Sequence, residues 1–471
     1  MLASRTHLPR PARFLLLLVV IYAFCWVKGW PHYYDDDELP ANQRPHTSLG
    51  PHHVQHDQLV VSVITTATDV YAKVAPLLVY VNDADRDSLL LFGDLQMEIG
   101  VWPIFDVLWR YSQNFIVETK ELGRYRAQVD YSRKSLPMHK LRKEDPQDEK
   151  RILATLYKYK ILQAMAAAWE YRPDRSWYAF VDDETYINRP NLLDWLSQYN
   201  PALKHFFGNP PVSSVPDPFA AGGSSFIISR EAMKELFKDR KDLIKSWQNQ
   251  IEDYDSALDL VFNVLQAELK IGLEGVWPGI TGFDPSSVPF SPALWCEPVL
   301  MMHHVSADIA SDLWKLEKER AEENLVRSPL AFADLWDRFM APENLNYTRN
   351  DWDNLSSESS NSRWNILFEG DQPDSARAPN GEESAEACQD SCDKSEYCMQ
   401  WSYSSIAQKN WNDNPQTKCH LSSSVRFGSH VEPQEWNING ERKIRTWKSG
   451  WKKHKFTAWA NHQRCKAQNQ K

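Results

Sequence analysis

The stretch WYAFVDDETYI, Trp177 to Ile187, decides how the chain is read. WYAFV has the length and apolar content of a buried strand. Three carboxylates, Asp182, Asp183 and Glu184, follow it without a break. Upstream, Ile152, Leu156, Tyr159, Leu162, Ala166 and Trp169 recur at three-to-four spacing, which predicts an amphipathic helix over Arg151–Glu170, ended by Pro173-Asp174. Helix feeding strand is the grammar of an α/β fold, and open α/β sheets bind ligands at the carboxyl ends of their strands. The acidic triplet therefore falls where a site is expected rather than a solvated turn.

Working outward, LVVSVITTATDVYAKV reads as a strand from Leu59 followed by a helix, and LLVYVND (Leu77 to Asp83) as a second buried strand. Asp94 ends an FGD segment at the close of a third. FAAGGSSFIISREAM (Phe219 to Met233) reads as a glycine pair, Gly222 and Gly223, then a short strand, then a helix that Ser229 caps with Glu231 in its first turn. A helix from about Asp253 to Leu269 keeps Leu258, Val261, Leu265 and Leu269 on one face. PVLMMHHVSADI, from Pro298 to Ile309, reads as a last strand, and residues 328–383 as a polar linker.

The whole chain sets the compartment. It has 471 residues, 42% hydrophobic and 25% charged, and a net charge of −10 that argues against a general nucleic-acid binder. Most of the 20 tryptophans are expected as core anchors, and some as sugar-stacking platforms. Arg5, Arg10 and Arg13 precede the apolar run Phe14–Val27, and Asp35–Glu38 follow it, a positive-inside arrangement that delivers the rest of the chain to the lumen. An uncleaved anchor over 14–30 is favoured over a signal peptide cut after Cys25, because bulky Trp26 follows. A flexible stem is expected over 31–57. Beyond Cys25 there are six cysteines, four of them within residues 388–419, as in a disulfide framework of an oxidising compartment. The acceptor sequons at Asn346 and Asn354 fit that address.

Carboxylates at a strand end suit hard cations such as Mn²⁺ or Mg²⁺, which complete their shells with water and substrate phosphates. WYAFVDDETYI resembles the DxD-type motif of the Fringe-like β1,3-glycosyltransferases, glycosyltransferase family 31, the fungal branch in particular. KYKILQAMAAAWEYRPDRSW, FAAGGSSFIIS, IEDYDSAL and MMHHVSADI resemble further segments of that family, in its order, over about Gln58 to Lys318. The resemblance implies a GT-A fold, a Rossmann-like mixed sheet flanked by helices, over 58–327. It implies that Asp182 and Asp183 bind the nucleotide with Gly222 and Gly223; Asp94, at the end of the third strand, is a candidate either for lining the donor pocket or for a structural role in its turn. Glu184, Asp183 and His303 would hold the metal, and Asp253 would be the catalytic base. Glu184 departs from the family's usual Asp. Neighbouring strand residues face opposite ways, so only one of His303 and His304 is expected to point at the site, and His303 is favoured. Asp253, placed at a helix start, would stay ionised and ready to take a proton.

SAEACQDSCDKSEYCMQWSY…KCHL resembles a PAN/apple domain, a small disulfide-bonded α+β module, over 384–447. Spacing suggests nested bridges, Cys392 with Cys398 and Cys388 with Cys419. Cys296 and Cys465 either join each other or stay free, because spacing alone does not fix connectivity. Residues 448–471 read as a solvated basic tail, and 1–13 as a cytosolic one. The resulting expectation is a Golgi type II membrane glycosyltransferase that moves a sugar from a UDP-sugar donor to a glycan or glycoprotein acceptor. The rival is a non-catalytic luminal or secreted carbohydrate-binding protein.

Overall fold

In the computed structural model, strand β1 (Leu59–Ile64) is buried along its whole length because both faces of its sheet are covered. The structure describes residues 54–209, 225–291, 294–322, 329–340, 348–356, 366–368, 381–406, 416–438, 441–462 and 465. The anchor, most of the stem, the glycine pair Gly222-Gly223 and the Asn346 sequon lie outside them. Among the described residues no helix is long and apolar enough to cross a membrane.

The large sheet adds β2 (Leu89–Gly93), β3 (Met97–Ile99), β4 (Trp102–Asp106) and β5 (Trp177–Asp182). After β6 (Tyr186–Ile187), which pairs elsewhere, come β7 (Phe206–Gly208), β8 (Phe226–Ser229) and β9 (Glu274–Gly275). The order is β3-β4-β2-β1-β5-β8-β7-β9, and β4, β2, β1 and β5 run parallel. Strand periodicity sorts the side chains. Val60, Ile64, Tyr178 and Phe180 face the helices Pro146–Tyr171 and Ala257–Leu269, whereas Val61, Val63, Ala179 and Val181 face the helices Val70–Leu78 and Arg189–Leu196. The long helix begins on Asp145, whose carboxylate accepts from the Gln147 amide, with Pro146 as its first residue. Leu156, Leu162 and Met165 are fully buried on it.

Several expectations change. Leu77–Asp83 is not a strand: Leu77 and Leu78 finish the helix Val70–Leu78, and the second strand is β2. Val70 and Val74 are its buried positions at helical spacing, and a short apolar run does not by itself distinguish strand from helix. Ser229 does not cap its helix. Its hydroxyl accepts from the His205 amide at 2.9 Å, tying two strands together. The helix expected from Asp253 starts at Ala257, with the Ser256 side chain accepting from the Asp259 amide.

Of Pro298–Ile309, only β11 (Met301–Met302) is strand, parallel to β10 (Ile280–Thr281) and antiparallel to β6. The segment expected as linker forms the helix Phe332–Phe339 and the strands β12 (Thr348–Asn350), β13 (Trp352–Asp353) and β14 (Ile366–Phe368). β12 and β14 join a six-stranded sheet with β15 (Gln400–Ile406), β16 (Gln416–Ser422), β18 (Gln434–Ile438) and β19 (Glu441–Trp451), while β17 (Ser429–His430) pairs with β13. The expected basic tail is likewise structured. Lys448–Trp451 belong to β19, Trp451 is buried, and the helix Lys453–His462 follows.

The bridges Cys392–Cys398, Cys388–Cys419 and Cys296–Cys465 are all present. Asn354 is not an accessible sequon. Fully buried, it donates through Nδ2 to the carbonyls of Trp401 and Gly450, and its Oδ1 accepts from the Ser356 amide and hydroxyl. Burying an amide requires such partners, and they leave no room for a glycan.

Candidate functional site

Register places the site. β5 pairs with β1 so that Asp182 lies opposite Ile64, and the next residue of each strand, Asp183 and Thr65, are joined by a 2.6 Å hydrogen bond from the threonine hydroxyl. Asp182 is an organiser. One of its oxygens accepts from the Glu184 amide at 3.2 Å and the Thr185 hydroxyl at 2.7 Å, and lies 3.0 Å from His303 Nδ1. Burial pushes the Asp183 carboxyl up to about 6, against the opposing pull of Lys73 and the Thr65 hydroxyl.

Glu184, His303 and His304 converge. One ligand atom from each lies within 4.8 Å of the other two. Both histidines reach the site because His304 breaks the strand rule: β11 ends at Met302, and His304 has φ +58°, so the two rings stand 3.9 Å apart on one side. His304 Nδ1 lies 2.9 Å from the Gly282 carbonyl, which fixes the proton on that nitrogen. His303 Nδ1 faces Asp182 in the same manner. Each ring therefore has Nε2 left for a cation, the carboxylate–histidine and carbonyl–histidine supports of metal ligands. Burial lowers the His303 pKa, but Asp182 and then Glu184 and Asp183 outweigh it, so the ring's affinity for a proton is raised.

Sequence reasoning passed over Lys73. From the helix Val70–Leu78 its ammonium lies 2.9 Å from Glu184, 3.2 Å from Asp69 and 3.9 Å from Asp183. Burial disfavours its charge, but these carboxylates outweigh burial and hold it protonated. Nothing in DVYAKV marks it; only the turn of that helix over the end of β5 brings it there.

The remaining candidates separate. Asp94 is fully buried beneath the site, accepting from the Ala67 amide at 2.7 Å and Gln128 at 3.1 Å and pairing with Lys160 at 3.2 Å. Lys160 also donates to the Thr65 carbonyl, so this pair braces the loop that carries Thr65. Asp253 ends a 3-10 helix, exposed, and is not at a helix N-terminus; that place belongs to Ser256 and Asp259. Gly222 and Gly223 lie outside the described residues.

A cavity of about 790 Å³ opens beside the acidic triplet. Asp183, Glu184, His304 and Lys73 are among its lining residues, as are Tyr80 and Trp314, whose rings lie 5.9 Å apart. Asp94 and Asp253 are not among its lining residues. Its lining mixes apolar side chains such as Val61, Val63, Leu77 and Ala310 with charged ones such as Lys73, Asp85, Glu184 and Arg189. Residues 143–273, from the start of the long helix through the acidic triplet and Asp253, match the family model described as Fringe-like, so this stretch is similar to the Fringe-like glycosyltransferases.

Proposed function

We propose that the protein is a metal-dependent inverting glycosyltransferase that moves a sugar from a UDP-sugar to a glycan or glycoprotein hydroxyl. The observation that carries this reading is the convergence of Glu184, His303 and His304 beside a cavity large enough for a nucleotide-sugar. The Fringe-like match over 143–273 supports the same chemistry. The GT-A assignment, a PAN/apple identity for the C-terminal module, a β1,3 linkage and a Golgi location through an anchor at 14–30 belong to this proposal.

Glu184, His303 and His304 would hold the cation, with Asp183 beside them. Two imidazoles and a carboxylate suit Mn²⁺ better than Mg²⁺, which prefers oxygen ligands. Such an ion neutralises charge on a departing diphosphate. Asp182 keeps His303 turned toward the site, and Asp183 and Thr65 close the ends of β5 and β1 beneath it. Asp253, exposed and outside the cavity's lining, remains the base that the family resemblance implies, which would take the acceptor hydroxyl's proton as its oxygen attacks the anomeric carbon.

Glu184→Ala is expected to lower Mn²⁺-dependent UDP release from the preferred donor at least about 100-fold and to weaken Mn²⁺ binding in titration. Unchanged binding and turnover in that variant would overturn the proposal. The Lys73–Glu184 pair favours a second reading, in which the ammonium stands in the cation's place and the protein binds carbohydrate without turning it over. Under that reading the wild type binds no Mn²⁺, releases no UDP from any donor and still binds glycans.

A further inference from the structure

We propose that the C-terminal cysteine-rich module is a positioning element for the two site histidines, acting through Arg426 and the segment Thr281–Phe290. The inference rests on the reading of Glu184, His303 and His304 as a cation site, and it concerns what holds the imidazoles in place.

The linkage is traceable bond by bond. The Thr281 carbonyl accepts from the His303 amide at 3.0 Å, and the Gly282 carbonyl lies 2.9 Å from His304 Nδ1. Both acceptors open a segment that folds tightly on itself, with one Asp284 oxygen accepting from the amides and hydroxyls of Ser286 and Ser287. From there the contacts pass to the module. The Ser286 carbonyl accepts from the amides of Phe427 and Gly428, both at 2.9 Å, and Phe290 and Val425 exchange backbone hydrogen bonds in an antiparallel bridge. Between these two points Arg426, 0% exposed, sets its guanidinium 5.1 Å from the centre of the Phe283 ring.

The module end of the linkage is equally fixed. The Arg426 amide donates to the Gln400 side chain at 2.7 Å, and its carbonyl accepts from the Trp451 indole at 2.7 Å. The Phe427 carbonyl accepts from the Trp352 indole at 2.6 Å. Gln400 of β15, Trp451 of β19 and Trp352 of β13 thus clamp the residues that grip Ser286 and Phe290. The clamp has a task. His304 sits in left-handed backbone without being glycine, and such a conformation persists only where its surroundings over-determine it. The Gly282 carbonyl is one of those determinants, and its own position depends on the segment the module holds.

The test uses the full chain and two variants, Arg426→Met and Phe283→Leu, with Trp401→Phe in the module's own disulfide core as a control of similar size. Mn²⁺ affinity is measured without donor or acceptor, and the histidine ring signals are recorded by NMR on histidine-labelled protein without metal. Both variants are expected to weaken Mn²⁺ binding about tenfold, in the range for lost supports of metal ligands. They should also shift the His303 and His304 signals while leaving that of His56 in place. Coulomb's law alone predicts the opposite sign for Arg426→Met, since removing a positive charge should tighten a cation.

Wild-type affinity and unmoved His303 and His304 signals in both variants would overturn the proposal, as would an equal loss in Trp401→Phe. If the wild type bound no Mn²⁺, the cation reading would fall, and the ring signals would still decide whether the module positions the imidazoles.

Discussion

His304 shows where residue-level reading stopped. Alternation along a strand predicts that adjacent histidines diverge, and that rule holds only while φ stays in the extended region; at +58° it reverses the ring. Asp182, Asp183 and Glu184 stood out as candidates because three carboxylates end an apolar strand, whereas His303 was reached only through the resemblance of its segment to a family motif. Lys73 was not legible, because a lone lysine in a helix carries no signature until tertiary packing chooses its neighbours. Away from the site, Arg124 grips Glu149 with two hydrogen bonds of 2.7 and 2.6 Å. Burial raises the Glu149 pKa, but the Arg124 bonds and the Lys143 amide outweigh it and hold the carboxyl below its usual range. A depressed folded-state pKa stabilises the protein above the unfolded value, and that contribution is lost as pH falls through the folded value. Glu149→Gln should therefore lower unfolding free energy by about 2 kcal/mol near pH 7. Urea denaturation of both proteins toward about pH 3 should show the gap closing, and a gap independent of pH would remove the ion pair as its cause.

At the scale of elements, the long helix Pro146–Tyr171 and β5 were readable because each has length and a single clear period. Leu162, fully buried on that helix, packs into the core beneath the sheet. Leu162→Ala should lower stability by about 3 kcal/mol in chemical denaturation without altering Mn²⁺ affinity. The strand expected at Leu77–Asp83 failed because five apolar residues in a row, Leu77 to Val81, satisfy either period. The strand around Met301 is short because its partners β6 and β10 are each two residues long, a limit that no property of its own sequence records. Ser229 has the side chain of a helix cap, yet the amide of His205, just ahead of β7, competes for the same hydroxyl and wins.

At the scale of the molecule, residues that the sequence divides into a catalytic part, a linker and a module share one core. Val288, Phe290 and Trp295 pack in the same cluster as Leu335 and Trp336 from the supposed linker and Met399, Val425 and Trp451 from the module. Composition hid this, because Asn, Asp, Ser and Pro dominate the sequence of the segment between. The Cys296–Cys465 bridge closes a loop across 169 residues, and loop-closure entropy gives it a stabilising contribution of up to about 5 kcal/mol. Replacing both cysteines by serine should lower the urea midpoint accordingly, and an unchanged midpoint would show that the shared core alone holds that end of the chain.

That shared core has a consequence for synthesis. The apolar side chains around Phe290 emerge from the ribosome well before Val425 and Trp451, which complete their packing, and at ordinary elongation rates the interval is roughly ten to thirty seconds. During that interval the nascent chain presents an unfinished hydrophobic face. Its yield is therefore expected to rise with holdase capacity in the producing cell.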